Sequence, residues 1–417
     1  MRVLKFGGAS VKDAEGFRNL ADILTRFNDQ PLVIVLSAMG KTTNALEEIL
    51  GTYLENGHYQ SRLKELKESH LKVVNELFEN PETVNELIEE LFLDMECRLE
   101  RQPSSGYDYL YDQVVPLGEM LSTKILHYYL QSTGLKNRWI DARNFLITYP
   151  IHREARLDWE TTVPLIGKKL HGMALENPII TQGFIGSTKE NITTTLGREG
   201  SDFTAGILAY ALDAKEVTIW KDVPGVLNAD PERFDNTVKF EELSYQDAIE
   251  MTYYGARVIH PKTIKPLQNK NIPLRVRSFV DLKEEGTLIH KDAGPIEEAP
   301  VMVIKENQVM FEISTKDFSF IAEENLSRIF EAMAHYRFKT NVMQNSAISF
   351  AFCTDYDETK TQGFIKMLEK EFNLYHTTSL NLLTLRPYDE EQANDLLSDR
   401  DIYLEQRNSR TVQYVYG

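Results

Sequence analysis

Cysteine is nearly absent: Cys97 and Cys353 lie far apart in 417 residues, and neither belongs to a CxxC pair. That excludes a disulfide framework and a thiolate zinc site, and points to reduced thiols in a reducing compartment. No paired histidine–carboxylate spacing offers a zinc site either, so no protein-held metal is expected. Basic charge is in deficit, with 46 Lys and Arg against 63 Asp and Glu and a formal net charge of −17. Such a surface repels phosphates and argues against nucleic-acid or anionic-membrane partners. Missing too is any apolar run long enough to span a bilayer, and the N-terminus passes directly into "VLKFGG" without a charged-then-apolar leader. The expected location is cytoplasmic.

What is present reads as α/β. Short apolar runs end in glycine-rich or polar turns: "RVLKFGG" (2–8), "PLVIVLSAMG" (31–40), "NPIITQGFIG" (177–186) and "EVTIWKDVPG" (216–225). Helical segments such as Gly16–Arg26 and Phe203–Leu212 separate them, the alternation of a parallel sheet covered by helices, with functional loops at the carboxyl ends of its strands. Between 61 and 101, apolar residues at three- and four-residue spacing predict two amphipathic helices split at Asn80–Pro81. Their acidic polar faces suit packing on the sheet or on a partner subunit, not on a membrane. Beyond the linker-like "HKDAGPIEEAP" (290–300), strand candidates at 309–314, 339–344 and 347–353 accompany helices at Glu324–Tyr336 and Thr359–Phe372. That order is ferredoxin-like. A shorter unit follows, with "LNLLTLRPY" (380–388), an acidic helical piece and a final strand "TVQYVYG" (411–417).

Several segments could carry chemistry. "VLSAMGKT" (35–42) fails as a phosphate loop, because Val35 stands where the motif requires glycine. Lys5, followed by Gly7 and Gly8 at the end of the first strand, supplies a point charge and backbone donors suited to a transferring phosphoryl group. "GREGSD" (197–202) reads either as a helix start capped by Ser201 or Asp202, or as an anion site facing free N–H groups and the helix dipole. Each is common alone. The ordered set "LSAMGKTTN" (36–44), "LGEMLST" (117–123), "GREGSDFTA" (197–205), "WKDVPGVLNADP" (220–231) and "YYGARVIHPKT" (253–263), together with "KFGGAS" (5–10), is not. Over nearly the whole chain it resembles the aspartokinases of the amino-acid-kinase family.

The resemblance implies an αβα sandwich with a mainly parallel sheet over 1–290, followed by ferredoxin-like α+β domains of ACT type: a first at 301–378 and a truncated second unit at 379–417. It implies transfer of the γ-phosphoryl group of ATP, carried with Mg2+, to the side-chain carboxylate of L-aspartate, giving 4-phospho-L-aspartate for lysine, threonine and methionine synthesis. Carried onto matching positions, Lys5, Gly7 and Gly8 would bind the phosphates, with Asp202 holding Lys5. Arg198 would grip the α-carboxylate and Glu119 the α-ammonium, while Ser37, Thr43 and Ser201 complete the amino-acid pocket. Lys221, Asp222, Gly225, Leu227, Asp230, Arg257 and Val258 would line the nucleotide. ACT-type domains imply a homodimer or higher homo-oligomer and an amino-acid effector.

The pattern is not complete. Ala9 replaces the threonine of "KFGGTS", Glu199 stands where many aspartokinases have glycine, and Arg257 replaces a frequent lysine. Lysine-sensitive aspartokinases carry a glycine, an aspartate and a glutamate where this chain has Asn325, Asn341 and Ala347. Losing two carboxylates removes the charge-assisted bonds that would select lysine, so weak or absent inhibition by lysine is expected. Two other functions fit less well. A pure amino-acid sensor needs no lysine–aspartate pair at phosphates, and a glutamate kinase differs by one methylene in substrate, worth about 1–3 kcal/mol of discrimination.

Overall fold

Residues 3–6, 32–36 and 217–220 are all buried. A strand buried on both faces requires helices on both sides of its sheet. The computed structural model describes residues 1–27, 30–101, 106–256, 259–296, 299–317 and 319–417. They form two compact units: Met1–Val226 with Lys239–Ile249 and Ile259–Gly294, and Leu227–Val238 with Glu250–Val258 and Pro295–Gly417.

The first unit contains β1 (Arg2–Phe6), β2 (Leu32–Leu36), β3 (Arg138–Trp139), β4 (Ile179–Gln182), β5 (Ile185–Ser187), β6 (Thr193–Thr195), β7 (Glu216–Lys221), β8 (Glu242–Ser244), β9 (Leu274–Ser278) and β10 (Thr287–His290). Eight of them join in one sheet, ordered β3-β4-β2-β1-β7-β9-β10-β8. Every pairing is parallel except β9 with β10. Helices Trp159–Glu176, Gly200–Ala211 and Pro261–Lys270 pack together as one layer, and the other contains Thr42–Leu54, Gln60–Leu77, Glu82–Arg101 and Leu117–Ser132. The result is an αβα sandwich. Sequence periodicity located the two helices of the 61–101 segment. Their apolar faces, Leu63, Leu66, Val73 and Val74 on one and Val84, Ile88, Phe92, Met95 and Leu99 on the other, are buried.

One apolar run divides where the sequence reads it as continuous. "NPIITQGFIG" breaks after Gln182, because Phe184 takes a left-handed φ of 70° and turns the chain into β5, which pairs with β6 as a separate hairpin. Among the described residues no helix is long and apolar enough to cross a membrane.

The second unit contains β11 (Val301–Thr315), β12 (Thr340–Asn345), β13 (Ser349–Asp355), β14 (Phe372–Arg386), β15 (Ile402–Arg407) and β16 (Val412–Tyr416), an antiparallel sheet ordered β12-β13-β11-β14-β16-β15. Helices Glu323–His335 and Glu358–Leu368 place Ile329, Met333, Phe364 and Leu368 on Val309, Phe311 and Ile313, which completes a ferredoxin-like β-α-β-β-α-β order. Helix Glu390–Leu397 sets Ala393 and Leu397 on Leu383, Leu385 and Val412. The helix expected to run to Phe372 stops at Leu368. Phe372 and Leu374 instead alternate into the apolar cluster as the start of β14.

Candidate active site

Four parallel strands end side by side. Phe6 pairs with Leu36 and with Trp220, and Leu36 pairs with Gln182. The segments after β1, β2, β4 and β7 therefore leave one edge of the sheet together, although "KFGG", "SAMGKTT", "GF" and "KD" are widely separated in sequence.

Lys5 is the next-to-last residue of β1 and is buried. Its Nζ lies 2.6 Å from Asp202 Oδ1, in the first turn of the helix Gly200–Ala211 that packs over β1. A buried ammonium held by a carboxylate is fixed in place and leaves its other N–H donors for a further anion. Gly7 lies beside it, since a Cβ there would stand 3.5 Å from Lys5 Nζ. Gly8 is sterically required: a Cβ would come within 2.7 Å of the carbonyl oxygens of Ala38 and Gly40. Gly40 N also donates to Gly8 O at 3.0 Å, so the segments after β1 and β2 are laced together.

Glu119, in the first turn of Leu117–Ser132, reaches that same segment. Its Oε1 accepts from Ala38 N at 3.4 Å, while Oε2 is buried with no hydrogen-bond partner. Burial pushes its carboxyl up to about 8, opposed by backbone N–H donors. Ser122 Oγ donates to Ser37 O at 2.7 Å and ties this helix to the end of β2. Ser37 and Thr43 are half-buried.

The helix start at "GREGSD" corrects the capping expectation. No side chain caps it, and Ser201 and Asp202 lie inside its first turn and are buried. The flanking residue is Glu199, in left-handed conformation at φ 54°, with its Oε2 accepting from His260 N at 2.9 Å. A glycine would take this left-handed conformation without cost, and here a side-chain hydrogen bond offsets the strain of a left-handed glutamate. Arg198 is exposed and has no hydrogen-bond partner among the described residues.

Sequence reading missed two residues here. Gly183, just after β4, admits no side chain, because a Cβ would stand 2.4 Å from Ser201 Cβ and 2.6 Å from its Oγ. Its signal was the glycine ending "NPIITQG", but nothing local linked it to Ser201. Ser122 sat inside the quoted "LGEMLST" without being singled out.

The remaining candidates divide. Lys221 ends β7, with its carbonyl accepting from Phe279 N at 2.9 Å, and Asp222 after it is exposed. Gly225 is a close-packing glycine, a Cβ there lying 2.6 Å from Thr287 Oγ1. Leu227 and Asp230 belong to the second unit, where Asp230 Oδ1 accepts from Glu232 N at 3.0 Å. Arg257 and Val258 lie outside the described residues. Among the described residues no group of three or more His, Cys, Asp or Glu could hold a metal ion.

A doubly covered parallel sheet whose strand ends gather a buried lysine–aspartate pair and a buried carboxylate has a known counterpart: residues 1–278 match the model of the amino acid kinase family, and the chain belongs to that family. Within it the similarity is to aspartokinases. The chain is 34% identical over 366 residues to aspartokinase 1, chloroplastic, of Arabidopsis thaliana, covering 85% of this chain and 63% of that protein. It is 31% identical over 368 residues to the lysine-sensitive aspartokinase 3 of Escherichia coli strain K12, covering 87% and 80%. Its structure is similar to that of E. coli aspartokinase III in complex with aspartate and ADP, with a TM-score of 0.85, 27% identity, and coverage of 100% of this chain and 96% of that one. The chain therefore spans somewhat under two thirds of the Arabidopsis relative and most of the E. coli proteins.

Proposed function

We propose that this protein is an aspartate kinase, transferring the γ-phosphoryl group of ATP to the side-chain carboxylate of L-aspartate to give 4-phospho-L-aspartate, the first step toward lysine, threonine and methionine. The observation that carries this reading is Glu119: a buried carboxylate with one oxygen lacking a partner is a receptor for an ammonium group. Arg198, exposed in the turn before the helix Gly200–Ala211, suits the α-carboxylate, gripped through two parallel hydrogen bonds. Ser37, Thr43 and Ser201 complete the amino-acid pocket.

Lys5, held by Asp202 at 2.6 Å, offsets charge on the phosphoryl group in transit, and the backbone of Gly7 and Gly8 approaches it without side chains. Lys221, Asp222 and Gly225 serve the nucleotide. The acceptor carboxylate is already ionised at neutral pH, so no side chain has to remove a proton, and positioning with charge stabilisation dominates. Magnesium travels with the ATP phosphates, in keeping with its preference for phosphate oxygens and water over all-protein cages. The free thiols Cys97 and Cys353 suit a reducing cytoplasm.

Hydroxylamine trapping with ATP, Mg2+ and either aspartate or glutamate tests the proposal. Aspartyl hydroxamate forming well above the glutamate level is the expected result. No hydroxamate, or equal amounts from both acids, would sink it.

A further inference from the structure

Asp112, on the helix Tyr107–Val114, is a carboxylate with no solvent exposure and no part in the proposed transfer. Its Oδ1 accepts from Thr195 Oγ1 at 2.7 Å and its Oδ2 from His152 Nδ1 at 2.7 Å, while Arg153 N lies 3.1 Å from both oxygens. Burial raises its pKa and these donors oppose the rise. Enclosed carboxylates are costly unless fully hydrogen-bonded, so these partners form a rigid joint.

The joint leads toward Arg198. Ala155 N donates to Thr195 O at 2.9 Å, which binds the segment 152–155 along β6. That segment lies against Gly197, where a Cβ would stand 3.1 Å from both Arg153 O and Glu154 Cγ. Gly197 has φ 74° and Glu199 φ 54°, so two left-handed residues flank Arg198 in a turn that needs outside support. On its far side Glu199 accepts from His260 N at 2.9 Å and Lys262 Nζ donates to Leu196 O at 3.3 Å. Arg198 has no such partner of its own among the described residues, so its guanidinium stands where the turn puts it.

We infer that Asp112 is a positioning residue for Arg198: through Arg153 and Thr195 it seats the 152–155 segment on Gly197 and thereby sets the geometry with which the α-carboxylate is gripped. The inference rests on the aspartate-kinase reading. Because the contact acts at the amino acid, Asp112→Ala raises KM for aspartate roughly tenfold, with kcat and KM for ATP within about twofold of wild type. Asp112→Asn, which keeps an acceptor for Arg153 N and Thr195 Oγ1, restores most of the loss. If Asp112→Ala does not fold, His152→Ala decides by the same split, because His152 is partly exposed and its loss leaves Asp112 two other donors. A rise of about threefold or more in KM for aspartate supports the inference, and an unchanged KM overturns it. Parallel falls in kcat and in affinity for both substrates also overturn it, since that is what a merely structural residue would do.

Failure of the kinase reading is separable. If the wild type phosphorylates no aspartate, hydrogen exchange still reads the joint: Asp112→Ala or His152→Ala speeds exchange at the amides of Arg153 and Ala155 and also at Gly200, whose N–H closes the turn onto Gly197 O at 2.9 Å. Unchanged exchange at Gly200 in both variants overturns the inference.

Discussion

Single residues in this site differ in what their charge does. Lys5 stands 2.6 Å from Asp202, and in the proposed reaction it meets a group whose charge peaks in transfer, so Lys5→Ala is expected to lower kcat roughly 10²–10³-fold while leaving KM for aspartate nearly unchanged. Steady-state kinetics at saturating aspartate measure this, and near-normal turnover would remove Lys5 from the mechanism. Burial pushes the Glu119 carboxyl up to about 8 from its ordinary value of 4.5. The folded protein therefore holds this proton more tightly than the unfolded chain. Its stabilising contribution is complete below pH 4.5 and is lost as pH rises toward 8. Ionised Glu119 is the form that pairs with an ammonium, so KM for aspartate should fall as pH rises toward 8 and then level off. Glu119→Gln should abolish that pH dependence, raise KM for aspartate roughly 10–100-fold through loss of a charge-assisted bond, and gain thermal stability relative to wild type as pH rises. A pH-independent KM in the wild type would refute this account.

Elements transmit these placements. The helix Gln60–Leu77 buries His70, whose Nδ1 donates to Leu66 O at 2.8 Å, leaving Nε2 to accept from Thr42 Oγ1 at 3.4 Å, at the start of the helix that carries Thr43. Burial pulls the pKa of His70 down to about 4 from its ordinary value of 6.5, so the unfolded chain takes up this proton first as pH falls. Stability assigned to His70 is intact above pH 6.5 and declines as pH drops toward 4. Denaturant melts between pH 7 and 4 should show wild type losing stability relative to His70→Gln across that window, and a constant difference would contradict it. The crossing of the segment after β4 with the helix Gly200–Ala211 is tighter still. Gly183→Ala forces a methyl to 2.4 Å from Ser201 Cβ, so a loss of about 1–3 kcal/mol of stability is expected. Urea melts would measure it, together with a raised KM for aspartate.

At the scale of the whole molecule the question is control and assembly. In the second unit Asn341 is already engaged: its Oδ1 accepts from Lys305 Nζ at 2.8 Å and its Nδ2 donates to Gln308 Oε1 at 2.7 Å and Asp355 Oδ1 at 3.1 Å. Asn325 Oδ1 accepts from Ala322 N at 3.1 Å at the start of its helix. An amide occupied by the chain's own ammonium makes a poor receptor for another, which favours insensitivity to lysine despite the similarity to a lysine-sensitive relative. Initial rates at sub-saturating aspartate should show no half-inhibition below millimolar lysine. The sheet also ends in two edge strands, β12 and β15, on which Met343, Ile402 and Tyr403 are exposed. Edges of this kind need cover, so light scattering at micromolar concentration is expected to report at least a dimer.

Periods of two and three to four residues, read locally, determined the alternation of buried strands and amphipathic helices, the separate antiparallel region and the place of Lys5 at a strand end. The ordered blocks brought Glu119, Arg198, Ser201 and Asp202 into one candidate set. Tertiary structure alone decided what those residues experience. Glu119 reaches Ala38 across 81 positions, Thr195 reaches Asp112 across 83, and Gly183 meets Ser201 through a crossing of elements. Contacts at such separations leave no periodic trace, so neither the burial that raises Glu119 nor the joint behind Arg198 was legible in the sequence. Glu199 marks the boundary: it read as a departure from a glycine pattern, and its left-handed backbone became intelligible once His260 N was found holding its carboxylate. Backbone conformation and solvent exclusion are set by neighbours in space, and a chain read one residue after another does not contain them.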